Sequence, residues 1–456
     1  MNNELNVIIL AAGQGTRMKS DLPKVLHLLG DKPLLEHVIL TAGQLGADAI
    51  HVVYGHGGET VKKSLAHMDV NWIEQEQQLG TGHAVDQAMP AITGNKPVLI
   101  LYGDVPLISQ HTLAHLLSEV DDNTMALLTA AMNDPTGYGR IIRDVSGNVT
   151  GIVEQKDAKP EQKTIKEINT GILAVKSDLL RRWLNMLENN NAQGEFYLTD
   201  IIAIAAKEGI AIKTAKPAAL SEIEGVNNKI HLAELERVYQ RQQADALMIE
   251  GVTFKDPARF DLRGDLRTGK DVVIDVNVVI EGKVSLGDRV YIAPNCVIKD
   301  AQIGSDVTIH PNTIVEKSRI GDGCELGPFA RLRPETQLNN HVKIGNFVEI
   351  KKSTVDDHSK VNHLSYVGDT TMGKRVNVGA GTITCNYDGA FKHQTVIKDD
   401  VFIGSDTQLV APVEVGEGAT IGAGSTVTHD APAGQLTLSR AMQKTRKGWK
   451  RPQKNK

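Results

Sequence analysis

Two cations follow a glycine-rich turn near the amino terminus, at a spacing that suits phosphate binding. The run "NVIILAAGQGTRMKSDLPKVLH" places a short apolar segment before Gly13 and Gly15, and then Arg17 and Lys24. Backbone N–H groups exposed where a strand gives way to a turn can form a cradle for anions. Because two positive charges nearby would strengthen that cradle, these residues predict a polyphosphate site.

The turn differs from two well-known phosphate-binding loops. No Gly-Lys-Ser/Thr follows the glycines, which excludes a P-loop. Thr16 and Arg17 stand where a dinucleotide fingerprint continues toward its third glycine, and no acidic residue closes the next strand. Taken alone, the turn also fits ordinary packing with two surface cations, so other residues must decide.

A second candidate group is Asp104, which follows the apolar run Val98–Leu101. If that run is a parallel strand, Asp104 lies at its carboxyl end, where ligands of doubly wound sheets collect. A carboxylate there could bind Mg²⁺, which fills its remaining positions with phosphate and water oxygens. The same carboxylate could cap the turn that contains Pro106, and the sequence alone leaves both interpretations open.

A histidine offers a different chemistry in the second half of the chain. His363 lies in "VNHLSYVGD", and a histidine can accept a proton from an amine nucleophile at neutral pH. It could also be an ordinary surface or hydrogen-bonded residue. Several side chains from neighbouring segments could surround a sugar phosphate together with it, namely Arg333, Lys351, Tyr366 and Asn377.

The elements that must position the first group follow an α/β pattern up to about residue 228. Short apolar runs with little polar alternation are typical of strands covered on both faces. Segments between them show helical spacing, so the order predicts a doubly wound sheet. The strand runs are Val7–Leu10, Ile50–Tyr54, Val98–Tyr102 and Met125–Ala130, and helical spacing occurs over Leu34–Leu45 and Thr112–Val120.

A long amphipathic helix is predicted over residues 229–250, as an arm between two bodies. We therefore expect three segments, 1–228, 229–250 and 251–456. The expected apolar side of the helix is Leu232, Leu235, Val238, Gln242, Ala246 and Ile249, and the expected solvent side includes Glu234, Arg237, Arg241 and Asp245.

A repeat of six residues organises the rest of the chain. An aliphatic residue at every sixth position marks each flat side of a triangular coil, and stacked coils pair in parallel about 4.8 Å apart. An antiparallel domain would show alternation of period two and hairpin turns instead. The run "TCNYDGAFKHQT" interrupts the repeat between Val378 and Ile403 and is predicted to loop out of the stack. The repeat positions are Ile274, Ile280, Leu286, Ile292, Ile298, Ile303, Ile309, Val315, Ile320, Leu326, Leu332, Leu338, Ile344, Ile350, Val355, Val361, Val367, Met372, Val378, Ile403, Leu409, Val415, Ile421 and Val427.

Composition narrows the class of protein. The length of 456 residues predicts about three folding units. The hydrophobic share of 41% is sufficient for their cores. A net charge of −5 gives no general attraction to nucleic acid. Cys296, Cys324 and Cys385 lack metal-ligand spacing and predict free thiols in a reducing cytosol. With neither a signal sequence nor a membrane span predicted, we expect a cytoplasmic protein without nucleic-acid or membrane partners.

Several motifs together resemble those of sugar-1-phosphate nucleotidyltransferases. With the hexad domain, the resemblance covers nearly the whole chain and extends to the bacterial bifunctional N-acetylglucosamine-1-phosphate uridyltransferases/glucosamine-1-phosphate acetyltransferases. It implies a Rossmann-like α/β domain, a helical linker and a left-handed parallel β-helix. The motifs are "LAAGQGTRM" and "LPK" within residues 10–24, "QLGTGHA" from Gln78, "YGDVPL" from Tyr102, "GYGR" from Gly137, "GIVEQKDA" from Gly151, "EINTGI" from Glu167 and "EGVNN" from Glu224.

The resemblance implies uridylyl transfer from UTP to N-acetylglucosamine 1-phosphate in the first domain. Arg17 and Lys24 would offset the triphosphate charge, and Asp104 and Asn227 would hold Mg²⁺. The residues that it assigns to the nucleotide and the sugar are Leu10, Ala11, Ala12, Gly13, Lys24, Gln75, Gly80, Thr81, Tyr102, Gly103, Asp104, Gly139, Glu154, Asn169 and Asn227.

For the second domain the resemblance implies acetyl transfer from acetyl-CoA to glucosamine 1-phosphate in a homotrimer, with His363 as the base. The product would supply peptidoglycan and lipopolysaccharide synthesis. The cation-rich end, residues 444–456, is expected to be a solvated tail that also reaches the phosphates of coenzyme A. The resemblance assigns Arg333, Lys351, Tyr366 and Asn377 to the sugar phosphate, and Ala380, Asn386, Tyr387, Ser405, Ala423 and Arg440 to acetyl-CoA.

Two other functions fit part of the pattern. In ADP-glucose pyrophosphorylases a β-helix accompanies a nucleotidyltransferase without acetylating, and an acetyl-transfer assay would separate that case. A non-catalytic scaffold would need the hexad prism only for trimerisation, and it would release no pyrophosphate from UTP.

Overall fold

A computed structural model describes residues 5–13, 15–55 and 57–454. By its internal contacts the chain divides between Tyr239 and Gln240 into two compact units. This division lies inside a helix, because the first half of that helix packs on one unit and the second half on the other.

The first unit is built on a mixed β-sheet with the strand order β11-β7-β10-β6-β1-β4-β5. β1 lies between β4 and β6 and is parallel to both, whereas β10 runs antiparallel to β6 and β7. The strands of this unit are β1 (Asn6–Leu10), β2 (Leu28–Leu29), β3 (Lys32–Pro33), β4 (Ala49–Tyr54), β5 (Asn71–Glu74), β6 (Pro97–Tyr102), β7 (Thr124–Ala131), β8 (Arg140–Arg143), β9 (Val149–Val153), β10 (Glu167–Lys176) and β11 (Ala211–Ala215).

Helices cover both faces of this sheet, which confirms the predicted α/β class. Every residue of β1 is buried, and its apolar side chains, 7–10, alternate between two separate hydrophobic clusters, one on each face. A strand covered on both faces needs apolar side chains at every position, hence the unbroken run in the sequence. The helices are α1 (Leu34–Gln44), α2 (Gly58–Ser64), α3 (Thr81–Ala88), α4 (Gln110–Ser118), α5 (Pro160–Lys163), α6 (Ser177–Leu184), α7 (Asp200–Lys207) and α8 (Lys229–Ile249). Within the described residues, no helix has the length and apolar character needed to cross a bilayer.

The buried side of α8 differs from the expected one in its second half. Leu235 is buried in the first unit as predicted, but Gln242 and Ala246 are exposed and Ile249 is 88% exposed. The buried residues there are instead Gln240, Ala244 and Leu247. The prediction assumed one continuous stripe, whereas each half of the helix packs into a separate core.

The second unit is a parallel β-helix, as the hexads predict. One sheet of 11 strands forms a first side, made of Thr253–Phe254, Val273–Ile274, Tyr291–Ile292, Thr308–Ile309, Glu325–Leu326, Lys343–Asn346, Lys360–His363, Asn377–Val378, Phe402–Ile403, Thr420–Ile421 and Leu436–Thr437. A sheet of 17 strands forms the other sides, made of Phe260–Thr268, Val278–Leu286, Val297–Lys299, Gln302–Ile303, Ile314–Glu316, Arg319–Ile320, Arg331–Leu332, Gln337–Leu338, Glu349–Lys351, Thr354–Val355, Tyr366–Gly368, Thr370–Met372, Ile383–Cys385, Thr395–Ile397, Gln408–Val410, Val413–Val415 and Thr426–Val427.

Every predicted repeat position is buried in a single core cluster. The corners between the sides carry residues with positive φ, for example Asn295 (61°), Phe329 (54°) and Phe347 (57°). Residues other than glycine rarely adopt this left-handed backbone conformation, because their Cβ atom crowds the backbone. The hexads give no sign of it because the corner positions vary from Asn to Phe.

The loop in the repeat is shorter than the sequence indicated. Thr384 lies in the strand Ile383–Cys385 and occupies the position six residues after Val378. Its hydroxyl contacts the backbone of Gly368, accepting from the N–H at 2.8 Å and donating to the carbonyl at 3.1 Å. Pairing resumes at Thr395. A polar residue thus continues the buried column, which is why an aliphatic pattern missed it.

Candidate active sites

A cavity of about 230 Å³ opens at the carboxyl ends of β1 and β6. Parallel strands expose their turns at this edge, so side chains from distant segments meet there. Ten residues assigned from the resemblance line it. The lining is Leu10, Ala11, Ala12, Gly13, Lys24, Val25, Gln75, Gln78, Gly80, Thr81, Ala84, Tyr102, Asp104 and Glu195.

The spacing between the glycine turn and Lys24 has a steric cause. Gly15 has a φ of 62°, and a side chain at that position would lie 2.6 Å from Cβ of Lys24. A glycine is therefore needed for the turn to pack beside Lys24. Gln14, the central residue of the turn, lies outside the described residues.

The two cations contact the two residues expected to hold a metal. The Lys24 ammonium pairs with the Asp104 carboxylate, and both side chains are largely buried. Arg17 Nη2 donates to Asn227 Oδ1 at 2.6 Å. The backbone N–H of Val226 donates to the carbonyl oxygen of Asp104 at 2.9 Å, which brings the Asp104 and Asn227 segments together. The structure gives Asp104 an ion pair, whereas the next helix is capped by Ser109, whose Oγ accepts from Thr112 N at 3.1 Å.

The opposite wall of the cavity depends on the segment that contains Glu195 and Phe196, which belongs to none of the quoted motifs. Gln75 is buried and donates from Nε2 to the Gly80 carbonyl at 3.1 Å. Gly80 has a φ of 113°, and a side chain there would lie 2.6 Å from the Phe196 carbonyl oxygen. Glu195 therefore reaches the cavity because its neighbour packs against Gly80. Gln78 and Ala84 belong to the quoted motif "QLGTGHA", while Val25 and Glu195 had no signal in the sequence.

The residues expected to contact the sugar gather near Tyr102. The Asn169 N–H donates to the Gly139 carbonyl at 2.9 Å, and a side chain at Gly139 would lie 3.3 Å from the Glu154 carboxylate oxygens. Burial raises the pKa of Glu154, although Thr199 Oγ1 donates to it at 3.0 Å. Burial, and then the charges of Glu154 and Asp104, raise the pKa of the Tyr102 hydroxyl.

Gly103 lies behind this wall. A side chain there would be 3.3 Å from Cβ of Ala11 and 3.0 Å from Leu35 Cδ1. The resemblance assigns Gly103 to the nucleotide and sugar, whereas the structure packs it closely beneath the turn and outside the cavity lining.

In the β-helix, His363 stands at the base of a column of residues assigned to acetyl-CoA. His363 Nδ1 lies 2.9 Å from Asn346 Oδ1 in the coil below. Ala380 follows in the coil above, because Lys360 pairs with Asn377 in register. Farther up, Asp406 N donates to the Ala380 carbonyl at 2.7 Å, and Arg440 Nη1 donates to the Ala423 carbonyl at 2.6 Å. Ser405 occupies the coil between Ala380 and Ala423.

A second group of side chains lies beyond the corner, on the next strands. Arg333 Nη1 donates to Glu349 Oε1 at 2.8 Å, and Glu349 pairs in register with Tyr366. Lys351 pairs with Gly368, where a side chain would lie 2.5 Å from the Tyr366 hydroxyl and 2.8 Å from Asn386 Nδ2.

Two cations meet in this group. The ammonium group of Lys392, which belongs to the loop, lies beside Lys351 and lowers its pKa. Lys392 and Glu349 were not singled out from the sequence, although Lys392 lies in the quoted loop "TCNYDGAFKHQT".

Asn377 and Tyr387 lie apart from these groups. Asn377 belongs to the first side of the prism and lines a cavity of about 580 Å³ with Lys360 and Arg375. Tyr387 is 60% exposed, and its hydroxyl donates to the Gly389 carbonyl at 2.5 Å. One chain therefore does not gather all the residues assigned to the sugar phosphate on the same side.

Two family models match this chain, one within each unit. Residues 7–159 match the MobA-like NTP transferase domain, and residues 265–300 and 394–429 match the bacterial transferase hexapeptide (six repeats). A solved UDP-glucose pyrophosphorylase complexed with UDP-glucose aligns with 52% of this chain and 98% of its own at 18% identity, with a TM-score of 0.42.

Two curated relatives match almost end to end. The bifunctional protein GlmU of Marinobacter nauticus is 57% identical over 450 residues, which are 99% of this chain and 99% of the relative. The bifunctional protein GlmU of Azoarcus sp. (strain BH72) is 57% identical over 450 residues, covering 99% of this chain and 100% of its own. With both units of the fold present and this identity along the whole length, the chain belongs to the bifunctional GlmU family.

Proposed function

We propose that the chain makes UDP-N-acetylglucosamine in two steps, acetylation of glucosamine 1-phosphate followed by uridylyl transfer from UTP. The observation that carries this proposal is that two separate units each hold a distinct set of reactive groups. One is the cation-lined cavity at the carboxyl edge of a sheet, and the other is the His363 column. The free cysteines fit the cytoplasmic location that we propose.

In uridylyl transfer, a phosphate oxygen of N-acetylglucosamine 1-phosphate attacks the α-phosphorus of UTP. The bond to the oxygen that bridges the α- and β-phosphates breaks, and pyrophosphate leaves. Both reactants are anions, so the chain must offset charge and align them. When substrate binds, Lys24 would leave Asp104, and Arg17 would leave Asn227, so that both cations contact phosphate oxygens instead. Glu154 and Asn169 would hold the sugar.

We infer that Asp104 and Asn227 hold Mg²⁺. A carboxylate and a carboxamide oxygen are hard donors of the kind that Mg²⁺ prefers, and the Val226–Asp104 hydrogen bond keeps their segments adjacent. Among the described residues, no group of three or more His, Cys, Asp or Glu side chains could hold a metal. Phosphate and water oxygens would therefore complete the site. When bound, the ion would neutralise phosphate charge.

In acetyl transfer, His363 would take a proton from the ammonium form of glucosamine 1-phosphate. The free amine nitrogen then attacks the thioester carbonyl carbon, and the C–S bond breaks as the N–C bond forms. The amide nitrogen gives up its second proton, and coenzyme A leaves as the thiol. Arg333 and Lys351 carry the charges that suit the sugar phosphate.

We propose that this second site is completed in a homotrimer. Asn377 stands on a different side of the prism from Lys351 and Tyr366, so a neighbouring chain is needed to bring such groups together. Phe329, Phe347 and Leu364 support this, because they form an exposed apolar ridge on the corner next to His363.

The proposed function is tested by supplying glucosamine 1-phosphate, acetyl-CoA, UTP and Mg²⁺ together. We expect mass spectrometry to show UDP-N-acetylglucosamine, pyrophosphate and free coenzyme A. Without acetyl-CoA, the acetylated product should be absent. Uridylyl transfer without acetylation would indicate a regulatory β-helix, and neither product would indicate a scaffold.

The two activities should be separable at Tyr239. A fragment of residues 1–239 should transfer uridylyl groups without acetylating, because it retains the part of α8 that packs on the first unit. A fragment of residues 1–228 loses Leu235, the Glu236 contact to Gly30 N and the Lys229 contact to His27. The free energy of unfolding of fragment 1–228 should be lower by about 2–5 kcal/mol or more, because removing one buried leucine side chain already costs that much.

Urea unfolding of the two fragments measures this difference. If fragment 1–239 folds but transfers no uridylyl group, the assignment of the first site is wrong. Equal stability of the two fragments would mean that the first half of α8 is dispensable.

A further inference from the structure

We propose that Asn346 orients the base of the acetyl-transfer site, by deciding which ring nitrogen of His363 carries the proton. Asn346 would be a positioning residue, because its contact is with His363 and not with the reacting atoms. This inference rests on the proposed role of His363.

The geometry comes from the backbone ladder. Asn346 ends the strand Lys343–Asn346, His363 ends the strand Lys360–His363, and the two residues pair in register. The N–H of Leu364 donates to the Asn346 backbone carbonyl at 3.0 Å. With both backbones held in this way, Asn346 Oδ1 lies 2.9 Å from His363 Nδ1.

The chemistry follows from what each atom can do. A carboxamide oxygen can accept a hydrogen bond but cannot donate one, so Asn346 Oδ1 requires a proton on His363 Nδ1. Nε2 is then the nitrogen with the free lone pair. When Nε2 takes a proton from the substrate amine, the Nδ1–H bond to Asn346 persists and stabilises the charged ring.

The position of Asn346 in the repeat makes this contact specific. The same corner position carries Pro294, Pro311 and Pro328 in the three coils below, two residues after a buried aliphatic residue each time. The N–H groups of Asn312 and Phe329 donate to Pro294 and Pro311, as the Leu364 N–H donates to Asn346. Proline has no side-chain acceptor. The coil beneath His363 therefore differs from the three coils below it, because its corner residue has a side-chain acceptor.

The test replaces the acceptor by an apolar side chain of similar size, in the full-length chain. Asn346→Leu should lower kcat for acetyl transfer about tenfold, because a hydrogen bond to a charged ring is lost. KM for glucosamine 1-phosphate should stay nearly constant. Asn346→Asp, which keeps an acceptor oxygen, should recover most of the rate.

A spectroscopic readout separates orientation from general damage. In ¹⁵N-histidine-labelled protein, the His363 signals are assigned by their absence from His363→Ala. We expect a protonated Nδ1 and a bare Nε2 in the neutral ring of the unaltered chain, and a shift toward the opposite tautomer in Asn346→Leu.

The matched control is Asn339→Leu. Asn339 Nδ2 donates to Asp356 Oδ1 at 2.7 Å across the same spacing of 17 residues, but on another side of the prism. This change should leave the His363 signals and kcat unaltered. If Asn346→Leu does not fold, Asn346→Ala removes the same acceptor with less strain.

Three results have different meanings. A bare Nδ1 in the unaltered chain, or unchanged signals and kcat in Asn346→Leu, would overturn the role of Asn346. Acetyl transfer that survives in His363→Ala would overturn the proposed base instead. A loss of kcat together with the tautomer shift, rescued by Asn346→Asp, would support the inference.

Discussion

Replacing Asp104 by Asn should reduce uridylyl transfer by about a hundredfold or more, while acetyl transfer continues at its normal rate. The substitution removes the charged oxygen donor that we propose for Mg²⁺, and a bound ion of this kind contributes several kcal/mol to the transition state. It also ends the ion pair with the largely buried Lys24. Acetylation should be unaffected because the residues proposed for it belong to the other unit.

The measurement is pyrophosphate release at several Mg²⁺ concentrations, with Mg²⁺ affinity determined separately by calorimetry. Asp48→Asn is the matched control, since Asp48 is exposed and precedes β4 at the opposite edge of the sheet. The control should keep both activities. Near-normal uridylyl transfer in Asp104→Asn would show that Asp104 holds no essential metal.

Mixed trimers should regain acetyl transfer from two inactive parents. His363→Ala lacks the proposed base, and a general base contributes about 10²–10⁴-fold. A chain truncated after Ser439 lacks Arg440 and the cationic tail. If the base and the tail of one site come from different chains, random mixing in a closed trimer completes about a quarter of the sites. We expect acetylation to approach that fraction of the unaltered level.

The positions of Arg440 and His363 within one chain allow either outcome of this test. Arg440 contacts Ala423, which lies three coils above His363, or roughly 14 Å at the spacing of paired strands. Arg440 thus contacts a residue of the His363 column without touching His363 of the same chain. Tagged pull-down must first show that mixed trimers form. Acetylation that then stays at the parental level would mean that one chain supplies both groups.

Sequence patterns predicted some elements of this fold correctly and one helix face wrongly. The strands Asn6–Leu10 and Pro97–Tyr102 were predictable because burial on both faces demands an unbroken apolar run. The hexads predicted the β-helix because every coil repeats the same requirement. The buried side of the second half of α8 was predicted wrongly, since its core belongs to a different unit from that of the first half.

The sequence by itself determined which chemistries this protein holds, because the glycine turn, Asp104 and the assigned motifs are local in the chain. Only the tertiary structure decided which groups meet. It paired Lys24 with Asp104 across 80 residues, brought Glu195 to the cavity through the packing of Phe196 on Gly80, and set Asn346 beneath His363. Such contacts depend on how strands align across the fold, and a local pattern carries no record of that alignment.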